Sequence, residues 1–295
     1  MRDLKSELMT GRMAETALEH VRAGRTPVTS RPASTVILLR DTPPAGGEPA
    51  AGAGGGESAA GFASGPEVYL LRRQRTMAFA AGMTVFPGGR VDPADSAIAG
   101  SWSGPPPEDF AARLGCSAEL AAAYVAAAVR ETFEESGVLL AGPSSETVVG
   151  DTTGADWEAD RVALEAGQLT FADFLQRRGL VLRADLLRAW AHWITPEFEP
   201  KRYDTAFFVA ALPTGQLTRD VTSESDQVAW VRPGDAVAAV DAGETLMLPP
   251  TYLCCRDLTQ YDDVAEVLAG AGDREIRTIM PTVRIDGDQA YLETT

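Results

Sequence analysis

The chain has 295 residues and is 45% hydrophobic, enough to bury a sizeable core in one large or two small domains, and its formal net charge of −16 repels phosphate-rich polymers and anionic membranes. Nonspecific nucleic-acid and membrane-surface binding are therefore excluded, while a small anionic substrate stays open wherever local cations or metal ions offset the field. No stretch reaches the roughly 18 uncharged apolar residues of a membrane span, and the charged start "MRDLKSELMTGRMAE" lacks the apolar centre of a secretory signal, so the expected compartment is the cytoplasm.

In chain order, residues 1–32 read as an N-terminal helical extension ahead of a single domain over 33–295. "STVILLRD" (34–41) is a β-branched apolar run and reads as a strand. The Gly/Ala-rich stretch within 42–66 reads as a mobile low-complexity loop, across which "EVYLLRRQ" (67–74) can pair antiparallel with the first strand. "GMTVFPGGRVD" (82–92) reads as a strand ending in a turn at Pro87, Gly88 and Gly89, where the backbone can bend or approach a ligand closely.

Residues 96–116 are broken by Pro and Gly, with a short helix expected around "PEDFAARLG". "SAELAAAYVAAAVRETFEES" (117–136) carries Ser117 at its start, Glu119 in its first turn and Gly137 after its end, the signals of a capped helix. A second insertion, 142–185, holds helices at "ADWEADRVALEAG" and "TFADFLQRRG". "WAHWITP", "RYDTAFFVAAL" and "DQVAWVRP" read as strands and "GDAVAAVDAG" as a helix, followed by helices near 250–259 and 261–269. "PTVRIDGDQAYLE" reads as a hairpin turning at Asp286 and Gly287. Strands and helices mixed without regular βαβ alternation give an α+β fold, an α/β/α sandwich.

Cys116, Cys254 and Cys255 supply neither a disulfide framework nor zinc-ligand spacing and read as buried reduced thiols. His20 and His192 have no partner pattern and read as satisfied or exposed histidines.

The most informative stretch is the end of the 117–136 helix. At about 100° per residue, Glu134 lies about 60° to one side of Glu131 and Glu135 about 40° to the other, so three carboxylates share one face. Glu131 and Glu135 are a repelling i,i+4 pair at the end of the helix where the dipole disfavours anions, and only Arg130, i,i+4 from Glu134, offers local relief. A local conflict of this kind marks a functional site, and three oxygen donors on one face suit hard divalent cations such as Mg2+ or Mn2+.

With "FPGG" at 86–89, Asp95 six positions after Gly89, and "RETFEESGV" at 130–138, the chain resembles the Nudix hydrolase superfamily, whose box reads G-x5-E-x7-R-E-U-x-E-E-x-G-U. Asp95 stands where the first box glutamate falls, and residues 96–129 replace the seven-residue spacer. "HWITPEFEPKRYDTAFFVAALP" (192–213) adds a likeness to the peroxisomal coenzyme A diphosphatase branch, the nucleoside diphosphate-linked moiety X motif 19 type, and its bacterial relatives. "LLRRQRTMAFAAGMTVFPGG" partly matches a coenzyme A motif: Gly82 and Arg73 fit, while Ala78 falls where a second arginine is expected.

The resemblance implies a Nudix-type sandwich with a mixed sheet, an insertion inside the box, and extra C-terminal helices and a hairpin. It also implies Mg2+ or Mn2+ held by Glu131, Glu134 and Glu135 with the Gly88 carbonyl, activating water against a diphosphate. Glu131 or Glu224 is the candidate general base, and Arg130 orients Glu134. Arg73, Arg90, Lys201 and Arg202 are candidate phosphate-binding cations. Tyr203 or Phe79 is a candidate stacking residue for an adenine.

The expected substrate is coenzyme A or acyl-coenzyme A, cleaved to 3′,5′-ADP and a 4′-phosphopantetheine product. ADP-ribose, NADH, dinucleoside polyphosphates and a noncatalytic nucleotide-sensing role are the alternatives. A homodimer is common in the superfamily.

Overall fold

The computed structural model describes residues 6–9, 11–42, 65–74, 80–98, 100–221 and 225–294. Within them the elements run β1 (Ser6–Leu8), α1 (Gly11–Ala23), β2 (Arg31–Asp41), β3 (Pro66–Arg73), β4 (Thr84–Val85), β5 (Gly88–Arg90), a 3-10 turn (Pro93–Ala97), β6 (Trp102–Ser103), α2 (Pro107–Leu114) and α3 (Ala118–Ser136). Then come β7 (Ala141–Gly142), α4 (Ala155–Glu165), α5 (Phe171–Arg178), β8 (Val181–Arg183), a 3-10 turn (Ala184–Leu186), β9 (Arg188–Ile194), β10 (Tyr203–Ala211) and β11 (Ser225–Val231). The chain closes with α6 (Pro233–Asp241), α7 (Pro249–Leu258), α8 (Val264–Asp273), β12 (Thr278–Ile279), β13 (Thr282–Asp286) and β14 (Gln289–Glu293).

The main sheet has the order β11-β3-β2-β10-β9-β12, with β4 on β3 and β5 on β2. It is mixed: β2 pairs antiparallel with β3, Leu39 opposite Val68, but parallel with β10, from Tyr203 opposite Arg31 to Ala211 opposite Leu39. β2 is buried on both faces, which is why its sequence is a continuous apolar run rather than an alternating one. Val36, Leu38 and Phe208 pack toward Phe110, Tyr124, Val125 and Phe133 of α2 and α3. Ile37, Leu39, Phe207 and Val209 pack toward Ala236, Cys255, Leu258 and Val267 of α6, α7 and α8. Helices on both faces of one mixed sheet make the expected α/β/α sandwich.

A third, smaller core joins the two ends of the chain. β1 pairs with β14, and Ala17 of α1 packs with Ala290, Leu292, Met9 and Phe198.

Two sequence expectations need correction. Gly88 and Gly89 lie inside β5, paired with Thr35 and Ser34, rather than in a turn. The terminal hairpin turns one residue later than expected: Asp286 pairs with Gln289, leaving Gly287 and Asp288 at the bend. The interior of the low-complexity loop, 43–64, lies outside the described residues, and its two ends meet where Thr42 donates through its amide (3.1 Å) and hydroxyl (2.7 Å) to the Gly65 carbonyl.

Candidate active site

The site begins with how α3 ends. The Ser117 hydroxyl accepts from the Leu120 amide at 3.2 Å, and Gly137, at φ +74°, closes the helix by donating to the Phe133 carbonyl at 2.9 Å. Thr132 is fully buried yet satisfied, because its hydroxyl donates back to the Ala128 carbonyl at 2.7 Å. Phe133 stacks on Phe174 of α5 with ring centres 5.4 Å apart, so the helix is gripped on the face away from the carboxylates.

On the other face, the Gly88 amide donates to Glu135 Oε2 at 2.7 Å, and a Cβ added to Gly89 would overlap the Glu131 carboxylate. Glycine is therefore a close-approach requirement at 89 between β5 and α3, and at 88 between β5 and Ser34 and Thr35 of β2. Arg130 organises the acids. Its Nε and Nη2 grip both oxygens of buried Asp95 at 3.0 Å, its Nη1 donates to Glu131 Oε1 at 2.9 Å and Glu134 Oε1 at 3.1 Å, and its Nη2 also reaches the Arg90 carbonyl at 2.9 Å. Asp95 in turn accepts from the Asp92 amide at 2.8 Å in a capping box.

Glu134 and Glu135 are each only 7% exposed. Burial, opposed by Arg130 and reinforced by Glu134, pushes the Glu131 carboxyl up to about 7, and burial raises Glu134 as well. Burial alone would lower the Arg130 guanidinium, but Asp95, Glu131 and Glu134 more than offset it and keep it charged.

The dipole conflict is resolved from elsewhere in the chain. Buried Arg161 of α4 donates to the Glu134 carbonyl at 2.8 Å, and the Arg219 amide donates to the Ser136 carbonyl at 2.9 Å while its side chain pairs with Glu158 at 2.8 Å. Two cations at the negative end of α3 stabilise what the local sequence destabilises. Neither was found by sequence reasoning, since they lie 27 and 83 residues beyond Glu134 and Ser136 with no motif linking them.

The expected convergence of carboxylates is met in part. They share a face, but among the described residues no three His, Cys, Asp or Glu side chains are gathered as a ready metal cage, because Arg130 bridges Glu131 and Glu134 while Glu135 turns to the Gly88 amide.

The acids open into a cleft of about 1210 Å³. Gly88, Arg90, Arg130 and the three glutamates line one end, and Arg73 and Tyr203 of the sequence-predicted set line it too. Arg202 does not join them. It is buried, with its guanidinium directed to the carbonyls of Thr195 (3.0 Å) and Val28 (2.7 Å) and to Met280 Sδ (3.4 Å), so its donors hold the β9–β10 connection together. Lys201 is exposed and absent from the described lining of the cleft. Glu224 and Phe79 lie outside the described residues.

Sequence reasoning also missed Glu199, half-buried on the cleft wall with its carboxyl raised by burial, because a lone acid in "PEFEPKR" carries no spacing signal. His192 is a satisfied core histidine: its Nδ1 donates to the Leu114 carbonyl at 3.1 Å and its Nε2 meets Asp204 Oδ1 at 2.5 Å.

A glycine strand pressed against an acidic helix end, inside a mixed-sheet sandwich, is the arrangement of the Nudix fold. A solved Nudix hydrolase from Alicyclobacillus acidocaldarius superposes with a TM-score of 0.66 at 24% identity, over 82% of this chain and 96% of that one. Residues 105–258 match the family model of the NUDT19 Nudix domain, and the chain belongs to that family. It is 28% identical over 248 residues to the acyl-coenzyme A diphosphatase NUDT19 of Gallus gallus, spanning 71% of this chain and 65% of that protein. It is 30% identical over 196 residues to the putative nudix hydrolase 7 of Caenorhabditis elegans, spanning 66% of this chain and 57% of that protein. The chain thus matches less than two thirds of the length of these relatives. Among the described residues no single helix is long and apolar enough to cross a membrane.

Proposed function

We propose that the chain hydrolyses the diphosphate linkage of a nucleoside diphosphate derivative, with coenzyme A or an acyl-coenzyme A as substrate and 3′,5′-ADP and a 4′-phosphopantetheine compound as products. The observation that carries the reading is the contact of β5 with α3: Gly88 and Gly89 bring open backbone against Glu131 and Glu135 at the mouth of a cleft that also holds Arg73 and Arg90. The likeness to the acyl-coenzyme A diphosphatase of Gallus gallus supports the substrate class.

The donor set is of the kind that suits Mg2+ or Mn2+, once the carboxylates turn from Arg130 and the Gly88 amide toward one ion. It is all oxygen, three carboxylates and the Gly88 carbonyl, and burial has raised Glu131 and Glu134, so a cation there relieves anions that the fold holds away from water. Glu131, Glu134, Glu135 and the Gly88 carbonyl would hold such an ion, which would supply Lewis acidity.

The remaining work falls to the chain's own residues. Arg130 fixes the carboxylate rotamers through its bidentate grip on Asp95 and acts as a positioning residue. Glu131 is the candidate general base, its carboxylate lying beside Glu134 in the lining of the cleft. Arg73 and Arg90 sit where guanidinium groups can fork onto phosphate oxygens.

The test is a substrate panel with Mg2+ or Mn2+ comprising coenzyme A, acyl-coenzyme A, ADP-ribose, NADH and a dinucleoside polyphosphate, run on wild type and Glu134→Gln. Coenzyme A compounds should be cleaved best, and the variant should lose on the order of a hundredfold, the scale of removing one preorganised contact to developing charge. Cleavage of none of them by wild type defeats the hydrolase reading and leaves a nucleotide-sensing role. Undiminished activity in the variant defeats the metal-site assignment.

A further inference from the structure

The cleft is electrically lopsided. Its floor is laid by neighbouring strands in the order β5, β2, β10, β9, with Gly88 beside Thr35, Thr35 beside Phe207 and Thr205 beside Trp193. Three strand spacings of about 4.8 Å therefore carry the floor some 14 Å from the acidic helix. The cations among the described lining residues are Arg73, Arg90 and Arg130, all on the β3, β5 and α3 side. At the far side the described lining is apolar, made by Met9, Met13, Phe198, Pro281 and Leu292, and the charged residue among the described lining there is an anion, Glu199.

That wall comes from the two ends of the chain. Met9 donates from its amide to the Ala290 carbonyl at 2.9 Å, and Ala17 of α1 is fully buried against the hairpin core that includes Phe198. Met13, one turn before Ala17, is left 44% exposed. A phosphate or a second nucleotide is poorly served here, since no cation is among the described lining residues of this wall and Glu199 repels it. An uncharged, flexible, apolar chain is well served, because thioether side chains adapt to chains of different length.

We infer that the wall formed by α1 and the β13–β14 hairpin is the subsite for the uncharged arm of a coenzyme A-type substrate and for the acyl chain on its sulfur. The inference rests on the diphosphatase reading and adds to it the place and origin of the selectivity. The diphosphate lies at the arginine end of the cleft, and the arm crosses β2 and β10 toward the chain termini. Burial of acyl methylenes against Met9, Met13 and Leu292 then adds binding that unacylated coenzyme A lacks, up to about fourfold per methylene.

The experiment compares kcat/KM for decanoyl-coenzyme A and coenzyme A in wild type, Met13→Glu and Val21→Glu. Val21 is an exposed α1 residue outside the described lining of the cleft. Wild type should prefer the decanoyl substrate. Met13→Glu should cut that preference about tenfold, by a KM effect, because a carboxylate would lie along the chain, and Val21→Glu should keep it. An unchanged preference in folded Met13→Glu overturns the subsite. So does a Met13→Glu effect confined to oligomeric mass by light scattering, which would make the wall a contact between copies.

Calorimetric titration with decanoyl-pantetheine, which has no diphosphate, separates the two readings. If wild type cleaves no coenzyme A compound yet binds this probe and Met13→Glu binds it more weakly, the diphosphatase reading fails and the subsite stands. No binding to wild type overturns the subsite.

Discussion

Glu131→Gln in metal-free protein should raise stability, and by an amount that depends on pH. The folded carboxyl titrates near 7 against an ordinary value of 4.5, so the folded state binds more protons than the unfolded state between those values. Wild-type stability therefore falls as pH rises from about 4.5 to about 7 and levels off above. The difference of 2.5 pK units amounts to about 3 kcal/mol in total, of which about 2 kcal/mol falls between pH 5.5 and 8.5. Glutamine keeps an oxygen for Arg130 Nη1 and cannot ionise, so it escapes this loss. Urea unfolding in chelator, followed by tryptophan fluorescence at several pH values, reads the gap between variant and wild type directly. The gap should widen toward pH 8.5, and adding Mg2+ or Mn2+ should narrow it by stabilising wild type alone. A gap that is flat with pH, or that closes as pH rises, refutes the account of Glu131 as a carboxylate charged at the expense of the fold.

Gly89→Ala should leave the fold standing but push the Glu131 carboxylate aside, costing on the order of a hundredfold in kcat/KM on whichever substrate wild type cleaves, with urea unfolding as the control. Arg161→Met removes the donor to the Glu134 carbonyl and the partner of Glu158 and Glu165. It should destabilise by about 2 kcal/mol in urea titration, with Arg161→Lys recovering part of the loss. Asp204→Asn addresses the pair that Asp204 of β10 makes with His192 of β9. Burial alone would raise the Asp204 carboxyl, but His192 and the Tyr124 hydroxyl outweigh it and hold it below its usual range. The pair then stabilises above the ordinary aspartate value and ceases to do so as pH falls through the depressed one, so the variant should be about 1–3 kcal/mol weaker at neutral pH and the deficit should shrink in acid.

Much of the sandwich was legible because its central strands are buried on both faces and its helices carry their own caps. "STVILL" declares a two-sided strand, and Ser117 with Gly137 brackets α3 within a residue of its observed limits. What stayed hidden depends on contacts distant in sequence. β1 is three residues long and exists through β14 at the opposite end of the chain, and β12 is two residues resting on β9. Pro-Gly-Gly carries the local signature of a turn, yet β2 recruits it as a strand because only glycine lets the backbone lie so close to Glu131. Arg202 sits beside an apolar strand in sequence as a phosphate ligand would, and only the fold reveals the carbonyls that consume its donors.

The long spacer between Asp95 and Arg130 raises the question of how a box split by residues 96–129 keeps its geometry. The structure answers with contacts that bypass the spacer. Arg130 reaches back to both oxygens of Asp95 and to the Arg90 carbonyl, and Glu135 reaches back to the Gly88 amide, so the two halves are joined side by side rather than end to end. The spacer itself is woven into the core. Phe110 of α2 packs edge-on against Phe208 at 6.0 Å, the Leu114 carbonyl accepts from His192, and Arg113 donates to the carbonyls of Ala271 and Arg274 at 2.7 and 2.8 Å. The family match begins at residue 105, within that spacer. A spacer anchored at so many points holds the N-terminal end of α3 fixed while Arg161 and Arg219 hold its C-terminal end. The acidic turn between them can then carry the buried Glu134 and Glu135 beside the partly buried Glu131, a set that an isolated helix would not keep ordered.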